Sequence, residues 1–377
     1  MAYLVISFLT AFLTLSYLAV VLYLKKGWSR LVYFRKNNQA HKTFVSVLIA
    51  ARNEEDKLEK TIKDILAQNY PKHLFELIIV DDHSTDKTTE IILSYSTQGV
   101  RLIKLNEDQP LNSYKKKAIA EAIKISTGEL IITTDADCRM GVDWLNTIVS
   151  CYEEHDYKMI SSPVSYFEEK SFFEEMQTLE FLYLIGLGAS TIGNKMPSTC
   201  NGANLAYKKE VFLELKGFTG IDDLASGDDE LLLHKVASKY PDGIGFCKSR
   251  EAIVYTHAKT TLNEFMQQRK RWASKSTKYK NKNLVVLGVT LWLFNVFILL
   301  NFVLGFFQST FWTLTLISLF CKFLVELAFL VPMCNFAKRP KLLWYLPFLT
   351  IIHIIYFILI GILGNSGKYN WKGRMVR

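Results

Sequence analysis

Apolar and polar positions divide the chain into membrane-like and soluble-like stretches. Residues 1–24 carry no charged side chain, and about 20 apolar residues suffice to cross a bilayer. Similar apolar runs return at 284–306, 311–332 and 342–363. From residue 44 onwards, short apolar runs alternate with amphipathic stretches instead. Residues 44–50, 77–80, 101–105 and 129–134 read as buried strands, while 57–67, 88–94 and 114–125 repeat their apolar residues at helical spacing. Pro71 and the polar run 82–87 supply breaks. This alternation predicts an α/β domain whose mostly parallel sheet is covered on both faces. Such sheets bind ligands at the carboxyl ends of their strands, so the informative residues are those that follow each strand.

Composition sharpens this division. Half of the 377 residues are hydrophobic, and Lys plus Arg exceed Asp plus Glu, 45 against 36. The surplus of cations suits the flanks of membrane helices better than a nucleic-acid surface. Lys25, Lys26, Arg30, Arg35 and Lys36 follow the first apolar run instead of preceding it. An uncleaved anchor with its N-terminus outside and the catalytic domain in the cytoplasm is therefore expected, in a multi-pass integral membrane protein. The six cysteines are scattered singly, which fits free thiols in a reducing compartment and argues against a zinc site. Residues 171–189 read either as a helix against the membrane or as a core helix. The basic stretch 261–282, with Phe265 and Trp272, resembles an interfacial helix. The expected layout is an anchor (1–24), a catalytic domain (40–282), a membrane region of two or three segments (284–364) and a basic tail (365–377).

The strand ends carry the chemistry. Ala51-Arg52-Asn53-Glu54-Glu55 follows the first strand, Asp81-Asp82-His83-Ser84-Thr85-Asp86 the second, and Asp135-Ala136-Asp137 the fourth. Asp86 reads as a helix cap. Several carboxylates at one sheet edge repel one another unless a cation or hydrogen-bond donors fill the space. Asp-x-Asp after a buried strand suits a hard divalent ion that also holds phosphate oxygens. No Gly-rich phosphate loop is present, which removes the main support for kinase, ATPase and dehydrogenase readings.

In this order the motifs resemble the family-two inverting glycosyltransferases. Gly128-Glu129 leads into Asp135-Ala136-Asp137. Asn201-Gly202-Ala203-Asn204, Gly217-Phe218, Gly227-Asp228-Asp229-Glu230 and Gln268-Arg269-Lys270-Arg271-Trp272 are similar to the acceptor-side motifs of its membrane synthases. Those include cellulose, chitin, hyaluronan and poly-N-acetylglucosamine synthases and ceramide glucosyltransferases. The resemblance covers about residues 44–272. It implies a GT-A (Rossmann-like) nucleotide-sugar domain flanked by N-terminal and C-terminal transmembrane helices. Ala51, Asn53 and Glu54, with Asp81 or Asp82, would hold the base and ribose. Lys115, or its neighbours Lys116 and Lys117, would sit near the nucleotide, and Tyr114 stands where the family usually has glycine. Asp135 would contact the ribose or diphosphate, and Asp137, with Asp135, an Mg2+ or Mn2+ ion. Asp229, beside Asp228, would be the catalytic base; Asn201, Gly202, Asn204, Gln268, Arg271 and Trp272 would border the acceptor and the diphosphate. The resemblance further implies a nucleotide-sugar donor (UDP by default), a lipid or glycan acceptor at the bilayer, and envelope-biosynthesis proteins as associates.

Plainer readings stand beside these. Asp228 and Asp229 open an expected helix, where carboxylates favour the positive end. Asn201–Asn204 fits a turn, Arg269 and Lys270 fit a membrane-facing surface, and His257 and His234 fit surface or packing positions. Lys322 and Glu326 share one face of an apolar segment and can pair. Three full C-terminal spans would leave the tail with Lys368, Lys372, Arg374 and Arg377 outside, against the positive-inside tendency. Residues 342–363 are thus read as re-entrant or interfacial, or the tail as an exception. Alternatives to a single-sugar transferase are a processive synthase subunit, a polyprenyl-phosphate sugar transferase and an inactive transferase-like scaffold.

Overall fold

The computed structural model describes residues 2–36, 40–107, 111–275, 279, 281–364, 369–371 and 374–376. Lys368, Lys372 and Arg377 of the expected basic tail lie outside the described residues. The chain forms two compact units. One comprises Arg30–Glu168, Thr191–His257 and Asn370–Arg377, the other Met1–Ser29, Glu169–Ser190 and Ala258–Tyr369.

The first of these is an α/β unit. Its strands are β1 (Val45–Ala51), β2 (Phe75–Asp81), β3 (Val100–Lys104), β4 (Leu130–Asp135), β5 (Arg139–Met140), β6 (Met159–Ser161), β7 (Val164–Tyr166), β8 (Leu205–Lys208), β9 (Ile244–Phe246) and β10 (Val254–Thr256). A seven-stranded sheet runs in the order β3-β2-β1-β4-β8-β6-β9, and β5-β10-β7 form a smaller one. Strands β1 to β4 pair in parallel, and β8 is antiparallel to both β4 and β6. The expected strand–helix alternation holds because each amphipathic segment covers its apolar stripe. In the helix Leu58–Leu66, Leu58, Thr61, Ile62 and Ile65 are buried at one-turn spacing. The helix Tyr114–Ile125 buries Lys116, Ala118, Ile119, Ala122 and Ile123.

Register levels the functional ends of the strands. Ala51 of β1 pairs with Asp81 of β2, and Ala50 pairs with Asp135 of β4. Gly128 lets the chain enter β4 against β1, since a Cβ there would lie 2.4 Å from the Ser46 backbone nitrogen.

Numbered along the chain, the helices of the α/β unit are α2 (Leu58–Leu66), α3 (Thr88–Ser94), α4 (Tyr114–Ile125), α5 (Trp144–Glu154), α7 (Lys209–Glu214) and α8 (Glu230–Lys239). The other unit is helical: α1 (Ala2–Arg30), α6 (Phe172–Gly193), α9 (Leu262–Ser274), α10 (Lys282–Leu304), α11 (Thr310–Phe336) and α12 (Leu346–Leu363). Among the described residues four helical segments are long and apolar enough to cross a membrane: Tyr3–Arg30, Lys282–Leu304, Thr310–Phe336 and Pro340–Leu363. This marks a membrane protein. Helix α1 continues past the expected end at Leu24, so Lys25, Lys26 and Arg30 lie on its last turns. Helix α6 is a core helix of this unit. Its Leu179 and Leu182 pack with Leu330 and Cys334 of α11 and with Leu342 and Leu346.

A polar seam runs between the apolar helices. Asn301 donates to the Thr10 hydroxyl at 2.8 Å, Thr14 and Ser318 share a hydrogen bond of 3.0 Å, and Tyr17 donates to Glu326. Glu326 also takes the Lys322 ammonium one turn away and the Thr350 hydroxyl at 3.2 Å. Both charged residues are buried, so removing one strands the other. Glu326→Leu should therefore cost on the order of 3–5 kcal/mol, whereas Lys322→Leu combined with Glu326→Leu should recover much of that loss. Thermal unfolding in detergent measures both, and equal losses in the single and double variants would contradict the pairing.

Candidate active site

The carboxyl ends of β1 and β2 are knitted into one wall. Asp82 donates its N–H to the Ala51 carbonyl at 2.8 Å. The Arg52 guanidinium donates to the carbonyls of Asp82 at 2.8 Å and His83 at 3.1 Å. Asn53 adopts a left-handed φ of 50° and turns the chain so that its N–H reaches Ser84 Oγ at 3.0 Å and its Oδ1 accepts from Thr85 N at 2.9 Å. The Glu54 N–H donates to Thr88 Oγ1 at 2.8 Å, leaving its half-buried carboxylate on the wall. Asp81 and Asp82 are buried: Asp81 accepts from Ser84 N and the Thr89 hydroxyl, and Asp82 Oδ1 lies 2.9 Å from His83 Nδ1. The Tyr114 ring meets the His83 ring edge-on, with centroids 6.0 Å apart. Asp86 accepts from the N–H groups of Glu55 and Thr88, at 3.1 and 3.0 Å, which is the capping role its position suggests.

At the end of β4 one cation bridges two motifs. Lys115 Nζ lies 2.7 Å from Asp135 and 3.2 Å from Asp228. Burial alone would lower the Lys115 pKa, but Asp135 and Asp228 outweigh it and hold the ammonium well above the ordinary lysine value. Of the three consecutive lysines, Lys115 thus meets the acids. Lys116 turns inward, and Lys117 pairs with Glu121 one turn along the helix, at 2.9 Å.

Asp229 is the N-cap of α8. Its Oδ1 accepts from Glu230 N at 2.6 Å and its Oδ2 from Gly202 N at 3.1 Å. A Cβ at Gly202 would lie 3.1 Å from the Asp228 carboxylate and 3.3 Å from Asp229 Cβ, so only glycine permits this approach without a shift. Thr199 donates to Glu230 at 2.5 Å, tying the same loop to the start of α8. Asn201 accepts from Ala203 N at 2.9 Å and shapes the turn. Asn204 is fully buried, with its amide placed among Trp144, Pro163 and Ala252, so in this structure its side chain holds the core together.

Asp137 is 28% exposed and has the Lys57 ammonium 3.7 Å away. Asp135 is 41% exposed on the same turn. Among the described residues no group of three or more His, Cys, Asp or Glu converges as a metal cage. Two carboxylates on one turn are donors of the oxygen type that a hard divalent ion takes. His257 packs on the Phe167 ring, 4.6 Å between centroids, within electrostatic reach of Asp137. Burial, followed by Lys57, lowers its pKa.

Gln268, Arg271 and Trp272 lie on α9 in the helical unit. Trp272 stacks on Phe181 of α6 at 5.9 Å. Arg269, expected on the membrane-facing surface, is instead buried: it lies over the Phe265 and Trp272 rings, 4.7 and 4.3 Å away, and pairs with Glu180. The Gln268 side-chain oxygen is buried with no hydrogen-bond partner among the described residues.

The α/β unit, with acids at the ends of parallel strands, has the GT-A-like fold of nucleotide-sugar transferases. Residues 46–215 match the model of glycosyl transferase family 2. A beta-monoglucosyldiacylglycerol synthase from Nostoc sp. is 31% identical over 121 residues, 32% of this chain and 26% of the relative. A poly-beta-1,6-N-acetyl-D-glucosamine synthase from Staphylococcus aureus is 25% identical over 236 residues, 61% of this chain and 53% of the relative. The matched segments thus span between about a quarter and a half of these relatives' lengths. The mannosyltransferase PcManGT from Pyrobaculum calidifontis, solved with GDP-Man and Mn2+, shares the fold at a TM-score of 0.61. That match is 17% identical and covers 96% of this chain and 99% of that one.

The sequence does not signal the approach of Lys57 to Asp137 or of His257 to Phe167, because these partners are remote in sequence. Lys115→Met should weaken binding of a nucleoside diphosphate by about tenfold or more, and Lys117→Met by less than about twofold. Titration calorimetry measures both, and equal effects would contradict the assignment.

Proposed function

We propose that the chain is a membrane-bound inverting glycosyltransferase that moves a sugar from a nucleotide-sugar to a hydroxyl of a lipid or glycan acceptor. The observation that carries this reading is the link from the Asp135 carboxylate through Lys115 to Asp228, next to Asp229. It supports a base role for Asp229 near the carboxylates that would hold a diphosphate through a cation. The N–H groups of Glu230 and Gly202 orient the Asp229 carboxylate. Asp229 takes the proton of the acceptor hydroxyl as that oxygen bonds to the anomeric carbon. The bond from that carbon to the diphosphate oxygen breaks, and the nucleoside diphosphate leaves with the electron pair. A divalent ion held by Asp137 and Asp135 would supply Lewis-acid neutralisation of the diphosphate charge.

Ala51, Asn53, Glu54, Asp81 and Asp82 are the wall for the base and ribose, with UDP the default nucleotide from the motif resemblance. Arg271 is assigned to the departing diphosphate. The Gln268 side-chain oxygen, without a hydrogen-bond partner among the described residues, suits a ligand contact. The Nostoc relative's monoglucosyldiacylglycerol product supports a lipid acceptor, and the staphylococcal relative's polymer supports a glycan. The cations on the last turns of α1 and just after it favour an N-terminus outside and a cytoplasmic catalytic unit.

Purified full-length protein in detergent, offered UDP- and GDP-sugars with Mg2+ or Mn2+, should turn over one donor. Chelator should abolish that turnover, and Asp229→Asn should lower kcat by about 100-fold or more. Full activity in Asp229→Asn would remove the base assignment.

A further inference from the structure

We infer that Lys116 is a positioning residue that clamps the strap 217–227, so that the acids following it are presented in a fixed place. The inference rests on the proposed role of Asp229. The strap is glycine-hinged, with positive φ at Gly217 (51°), Gly220 (81°) and Gly227 (86°), a backbone region that costs glycine little. Asp228 and Asp229 follow immediately. Such a segment does not hold its own course; something must fix its carbonyls.

Lys116 does so from below. It is 2% exposed. Its ammonium donates to the carbonyls of Ile221 at 2.5 Å, Leu224 at 2.8 Å and Ser226 at 2.7 Å. An ammonium has three N–H donors, and this geometry uses all of them on one strap. Lys235 holds the beginning of the strap in the same way, through the carbonyls of Gly217 at 2.6 Å and Thr219 at 3.0 Å.

The residue before Lys116 is Lys115, which grips Asp228. Adjacent residues on the first turn of α4 therefore hold the strap backbone and the acid beyond it. Burial lowers the Lys116 pKa to about 8, while Asp228, Asp229, Asp223 and Asp222 act to raise it. The thioether chain of methionine in Lys116→Met would fill the space and leave the carbonyls without donors, so the expected defect is local to the strap. A reagent that refills the cage with an ammonium ion should reverse it.

The test uses the full chain in detergent, with hydrogen exchange followed by mass spectrometry beside steady-state kinetics. In Lys116→Met, amides in 217–229 should exchange about tenfold faster or more, while those of β1 and β4 keep their protection. The kcat for transfer should fall about tenfold or more, with the donor KM within about twofold. In Lys116→Ala, methylammonium chloride but not sodium chloride should restore strap protection and part of kcat. Lys117→Met should match the native protein.

Unchanged exchange and kcat in Lys116→Met would overturn the inference. So would loosening spread evenly over the sheet, which marks general destabilisation, or a rise in donor KM that accounts for the whole loss. Asp229→Asn separates the two claims. If it stays active while Lys116→Met loosens the strap, the base assignment fails and the clamp stands.

Discussion

The site depends on one ammonium group held between carboxylates of two distant motifs. Asp135 ends a strand of the parallel half of the sheet, Asp228 precedes α8, and Lys115 lies between them. Without that cation the two acids would repel each other across the site, and each would be costly to keep ionised in a partly buried place. The arrangement also explains why the surrounding glycines are where they are. Gly202 admits the acids at van der Waals distance, and Gly128 lets β4 run alongside β1 so that Asp135 comes level with Ala50. Strand register, glycine placement and charge balance thus converge on one point.

The balance of charge is carried differently in the helical unit. There Lys322 and Glu326 neutralise each other among apolar helices, with Tyr17 and Thr350 completing the carboxylate's hydrogen bonds. Arg269 follows the same rule, paired with Glu180 and covered by aromatic rings. In each case an ion is tolerated away from water because its partner and its donors are in place. Arg269 in turn lies against Trp272, so the aromatic face of the Gln268–Trp272 segment rests on a buried ion pair.

Much of this was legible in the sequence, for a physical reason. In the α/β unit, apolar periodicity locates the expected strands and helices within a residue or two: β1 spans Val45–Ala51 where 44–50 was expected, and α4 spans Tyr114–Ile125 as expected. Residues that follow such strands are displayed at the sheet edge, so Asp135 and Asp137 could be picked out from position alone. What stayed hidden depends on tertiary partners. Three lysines in a row are indistinguishable by composition, yet each points about 100° from the last on a helix of 3.6 residues per turn. One meets the acids, one the strap and one the solvent-side Glu121. Arg269 reads as surface in a basic stretch because nothing local announces Glu180, which lies on another helix. Asn204 looks like a neighbour of the acceptor loop, but its amide is taken up by Trp144 and two carbonyls far along the chain. Asp229 was both things the sequence allowed, a helix cap by geometry and the base by proposal.

The account's central claim is a single displacement at the anomeric carbon with Asp229 as base and no covalent sugar–enzyme intermediate. The most direct measurement is the anomeric configuration of the first product formed from an α-linked nucleotide-sugar, read by proton NMR from the anomeric coupling constant. The account predicts inversion, a β-linked product. An α-linked product, with retention of configuration, would contradict it.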